Sequence, residues 1–172
     1  MHNTSQEGHM PDDEKKPLIR HKQNLYIVYT DAMKEQINLL AQRLAEQPFP
    51  VPGLVNNKTG EANVSQVIEM AILCLHRAIA SDSAAPTAAL SKRYVKLYLE
   101  HRAMPGRGDR ARLTDRTVTV NDETRVQVDT IGAWLKQRFA ERTIPQLYRG
   151  DDLNKKMVVA FCIYYTLDVL TP

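Results

Sequence analysis

The sequence predicts a mainly α-helical chain made of two similar halves, each a short β-strand followed by two helices. Three observations predict it. Short alternating runs around Leu25–Tyr29 and Thr117–Val120 read as strands. Thr30-Asp31 and Asn121-Asp122, directly after them, read as helix starts. The two stretches also superpose at a spacing of 122 − 31 = 91 residues. At that spacing Val118 and Val120 lie on Ile27 and Tyr29, and Val128, Ile131 and Leu135 lie on Ile37, Leu40 and Leu44.

Residues 1–23, with PDDEKK at their centre, read as a polar, disordered tail. The first module spans 24–80. Its strand places Leu25, Ile27 and Tyr29 on one face and Asn24, Tyr26 and Val28 on the other. Met33, Ile37 and Leu40 then follow at helical spacing. After the loop QPFPVPGLVNNKTGE, a second helix over Ala62–Ile79 begins with Asn63 as cap and Gln66 three residues on.

The linker, 81–114, holds Leu90, Tyr94, Leu97 and Tyr98 at helical spacing, a connecting helix that ends before Pro105-Gly106. A basic arm follows, with Arg107, Arg110 and Arg112 leading to Arg116 at the second strand. In the second module, 115–172, Val118 and Val120 point inward, and Thr117 and Thr119 outward. Its second helix, Asp152–Leu170, takes Asp152 as cap. Matching Ala160 to Ala71 gives a spacing of 160 − 71 = 89, so the loop between the helices differs by a net two residues.

A solitary strand leaves its amides and carbonyls unpaired and is barely stable in water. Each half supplies one strand. The two can pair within one chain as a pseudo-dimer, or each can pair with another chain in a homo-oligomer.

The order strand, cap, helix, loop, capped helix resembles the ribbon–helix–helix family of DNA-binding proteins, in tandem copies over Asn24–Ile79 and Asp115–Leu170. The resemblance implies two modules, intertwined as a dimer or pseudo-dimer and joined by the helical linker, whose antiparallel ribbon enters the major groove of double-stranded DNA. The chain departs from the family in having Asp31 and Asp122 at the usual proline position, and in its long first inter-helix loop.

On the family pattern Asn24, Tyr26, Val28, Thr117 and Thr119 contact bases. Asn can pair with adenine, and Thr or Val can meet a thymine methyl, although a plain solvent-facing strand also carries such residues. Helix starts offer free amides to phosphate. Asn63, Val64 and Ser65 in one half, and Asn154 and Lys155 in the other, are the candidate seats, with Lys156 beside them. Simple capping accounts for the Asn residues equally well. Lys22 and the arm arginines Arg107, Arg110, Arg112 and Arg116 are further phosphate contacts, the alternative being a solvated linker.

The function expected is sequence-specific transcriptional regulation in a plasmid or mobile-element setting. Partition or relaxosome accessory roles, and a helical protein–protein adaptor, are the alternatives. Composition is that of a folded globular protein, 43% hydrophobic and 25% charged, with a net charge of only +3. Cys74 and Cys162 sit in apolar helical runs and read as buried thiols in a reducing, cytoplasmic compartment. No apolar run approaches the roughly 20 residues of a membrane span. The five histidines have no metal-ligand spacing with the cysteines. No phosphate loop or nucleophile–base set appears, so neither an enzyme nor a cofactor is expected.

Overall fold

The structure is a computed structural model that describes residues 22–48, 51–84, 115–139, 148–149 and 152–171. Its order is β1 (Lys22–Val28), α1 (Asp31–Ala45), α2 (Val64–Ala80), β2 (Asp115–Asn121), α3 (Asp122–Phe139), β3 (Tyr148–Arg149), β4 (Asp152–Leu153) and α4 (Lys155–Leu170). The described residues are thus mainly helical, with one seven-residue antiparallel ribbon and a two-residue hairpin. The expected linker helix and the tail over 1–21 lie outside the described residues. Lys22 and Gln23, assigned to that tail, belong to β1, where they pair with Asn121 and Val120.

β1 and β2 pair within the chain, from Lys22 opposite Asn121 to Val28 opposite Asp115. Leu25, Ile27, Val118 and Val120 are buried on the inner face. A slip of one residue would turn one strand's inward pair, Leu25 with Ile27 or Val118 with Val120, into water, so this face fixes the register. The pair Tyr26–Thr117, next to the middle of the ladder, is separated by the 91-residue interval itself (117 − 26 = 91). Both helix starts keep that interval, 122 − 31 and 155 − 64 each giving 91. The spacing of 89 expected for the second helices is therefore corrected. Asp152 is not the cap of α4: it is drawn into β4 opposite Arg149, and Asn154 takes the cap position.

Thr30 caps α1 by accepting a hydrogen bond from the Met33 amide at 3.2 Å, and Asn63 caps α2 by accepting from the Gln66 amide at 3.4 Å. Such caps contribute about 1 kcal/mol each. α1 buries one stripe, Met33, Ile37, Leu40, Ala41 and Leu44. α4 differs, because Met157 through Leu167 are all buried. A helix apolar all round belongs at the centre of a fold. α4 packs on β1, α1, α2 and α3, most extensively on α2. The packing is crossed: α1 meets α4 more than α2, and α3 meets α2 more than α4. One continuous apolar cluster therefore draws on both halves.

At the α2–α4 contact the buried Thr166 hydroxyl donates to the Cys162 carbonyl at 2.8 Å, with the Ala71 carbonyl at 3.3 Å. Burial pushes the Cys162 thiol up, and nearby Cys74 adds to it. Burial also raises Cys74, with partial relief from Thr166 and Arg77. The thiolate is the reactive form, so iodoacetamide should alkylate Cys162 only after denaturant unfolds the chain. Rapid alkylation of Cys162 in the native protein would contradict this packing.

Tyr29, expected in the core, packs against its margin. It is half-buried, with the Lys34 ammonium 5.2 Å and the Arg116 guanidinium 5.0 Å from its ring centroid. Both lie within cation–π range.

Candidate nucleic-acid interface

The outer face of the ribbon is assembled from opposed pairs: Lys22 with Asn121, Asn24 with Thr119, Tyr26 with Thr117, and Val28 with Asp115. Lys22, Asn24, Tyr26, Thr117 and Thr119 are exposed. Tyr26 is 61% exposed, unusual for so large a ring. Val28, expected outward, is 2% exposed and joins the core. The cause lies at its end of the ribbon, where α4 packs in and Lys156 Nζ reaches Asp115 Oδ2 at 2.7 Å. Val28 is therefore removed from the candidate base contacts.

Beside β1 runs a cleft of about 400 Å³, lined by Asn24, Tyr26, Arg125, Asn154, Lys155 and Lys156 together with Leu25. It brings together residues from both halves. Arg125 of α3 is held by donating to Gln23 Oε1 at 2.7 Å. Lys155 Nζ lies 3.1 Å from Asp129 Oδ1, and the Asn154 side chain makes no capping bond to α4. A guanidinium has five N–H donors and an ammonium three, more than the carboxylate or amide partners seen here among the described residues use. The cleft can take an anionic oxygen next to the ribbon's outer face.

The start of α2 is built differently. Its long preceding loop folds against it: the Asn63 amide donates to the Leu54 carbonyl at 2.7 Å and Gln66 Nε2 donates to the Pro52 carbonyl at 3.0 Å. Gly53 at φ +82° makes that close approach, since a Cβ there would stand 3.1 Å from Gln66 Oε1. Val64 is buried and Ser65 half-buried. The two expected phosphate seats are thus not equivalent: the loop engages the Asn63 amide and Gln66, Val64 is buried, and the Asn63 side chain stays exposed.

Arg116 lies opposite Ile27, in the inner-face set, and donates to Tyr29 Oη at 3.0 Å. It is absent from the cleft lining. Arg107, Arg110 and Arg112 lie outside the described residues. Arg125 and Gln23, which sequence reasoning missed, are 102 residues apart.

No group of three or more potential metal ligands occurs among the described residues, and none of the described helices is long and apolar enough to cross a membrane. No family model matches the chain, and no curated protein or solved structure is detectably similar to it.

Proposed function

We propose that the chain is an intrachain pair of ribbon–helix–helix units that binds double-stranded DNA sequence-specifically through the outer face of β1–β2. The observation that carries this reading is the exposed, polar outer face of a two-stranded ribbon, bordered by the cations of the cleft. A two-stranded ribbon is narrow enough to enter the major groove of roughly 12 Å, where base edges carry a distinct pattern for each pair. Asn24, Thr117 and Thr119 supply hydrogen-bonding groups and methyls to that groove, and Tyr26 supplies a phenol. Arg125, Lys155 and Lys156 stand where a backbone phosphate beside the groove would lie. Transcriptional regulation is the use we favour for such an activity, with partition or relaxosome accessory roles as neighbours within the same class.

Duplex binding measured against salt, for wild type and for Thr117→Ala/Thr119→Ala, tests this. The variant should lose roughly 1–3 kcal/mol of discrimination between preferred and random duplexes. Its non-specific affinity should stay unchanged, since neither threonine carries charge. The competing adaptor reading draws on the exposed Tyr26 ring. Absence of any duplex affinity at low salt would overturn the duplex-binding reading.

A further inference from the structure

The outer face of the ribbon is lopsided about its own pseudo-two-fold axis, which passes through Tyr26–Thr117. On one side the next outward pair, Asn24 with Thr119, is exposed, and Lys22 with the half-buried Asn121 continues it. On the other side the next pair, Val28 with Asp115, is withdrawn. Val28 is buried, and the Asp115 carboxylate accepts from Lys156.

The edges differ in the same sense. The β1 edge is bordered by Arg125, Lys155 and Lys156. At the β2 end the Glu69 carboxylate of α2 accepts from the Asn121 amide at 3.0 Å. A half-turn carries Arg125, Lys155 and Lys156 to Lys34, Val64 and Ser65, each 91 residues earlier, so two of the three cations have no charged counterpart and the two edges cannot grip the DNA backbone alike.

Resting on the duplex-binding reading above, we infer that the protein recognises a non-palindromic duplex site and lies on it in one orientation. A ribbon of two identical strands presents the same groups after a half-turn, so it selects base pairs related by a dyad. Here a half-turn replaces Asn24 and Thr119 by Val28 and Asp115. The amide and hydroxyl groups are lost from that step, and an ion-paired carboxylate takes their place. Readout is therefore concentrated on one side of the central step, at the base pairs facing Asn24–Thr119 and Lys22.

Selection of duplexes from a randomised pool by the full-length chain, followed by sequencing, tests the inference. The wild-type consensus should be non-palindromic. Asn24→Ala/Thr119→Ala should relax it on one side of the centre only, by on the order of tenfold per base pair read. A circular dichroism spectrum like that of wild type checks that this surface variant is folded, and the wild-type consensus tests the symmetry without any variant. A palindromic consensus, or relaxation spread equally over both sides, would overturn the inference while leaving duplex binding intact. Enrichment of no duplex at all would overturn the duplex-binding reading and this inference with it.

Discussion

Phe161→Ala should destabilise the whole chain by about 3–5 kcal/mol, the usual loss for truncating a buried phenylalanine, and should do so in one transition. Phe161 is completely buried on α4, the helix that is apolar around its full circumference. Domains of this size are stable by roughly 5–15 kcal/mol, so the change takes a large share of the total. Two separate modules would respond separately, the second melting early and the first holding. The crossed packing forbids that, because α4 carries β1 and α1 of the first half as well as α2 and α3. Urea unfolding followed by helical circular dichroism and by the fluorescence of Trp134, the single tryptophan, should give one shared midpoint, shifted equally for both signals. Two midpoints would show that the halves fold alone.

Much of this architecture was legible in the residues because one face of each early element is wet. Alternation picked out Leu25, Ile27, Val118 and Val120, and the 3.6-residue stripe of α1 picked out Met33, Ile37 and Leu40; all are buried. The 91-residue interval marked two strands that each need a partner but left open whether they pair with each other or with another chain; the fold joins them within the chain. Val28 was not legible. Its burial comes from a helix start that follows more than a hundred residues later, and period-two alternation carries no information about that roof. The cap of α4 failed for a different reason. Asp152 and Asn154 are both good caps, and the choice is made by the short β3–β4 ladder that takes Asp152 into extended backbone. α4 itself has no wet face, so its periodicity said little about which side packs where.

The site was half visible. Asn24, Tyr26, Thr117 and Thr119 followed from strand alternation, and Lys155 from its place at a helix start. Arg125 was one of many charges on a helix surface, and only the tertiary fold aims it at Gln23 and the cleft. Arg116 has a neighbour that its sequence context did not show. Its neighbourhood of arginines suggested a phosphate contact, but Tyr29 offers the guanidinium both a ring face and a phenol oxygen.

Arg125→Ala/Lys155→Ala should weaken duplex binding most at low salt, and by similar factors on preferred and random sequences. Each neutralised phosphate contributes a slope of roughly 0.9 to log affinity against log salt, so losing two lowers the slope by about 1.8 and the affinity by about sixtyfold near 0.1 M salt. The deficit should shrink as salt rises, because fewer counterions are then released on binding. Lys156 is left in place for a physical reason: removing it would strip a well-shielded Asp115 of its 2.7 Å partner and mix a folding defect into the result. Arg116→Ala serves as the contrast, since its guanidinium is engaged by Tyr29 away from the cleft, and its salt slope should match wild type. Titrations over a range of salt read both slopes directly. An unchanged slope for the Arg125/Lys155 pair would remove the cleft from the DNA contact. A drop of about one for Arg116 would mean that it leaves Tyr29 to meet a phosphate when duplex binds.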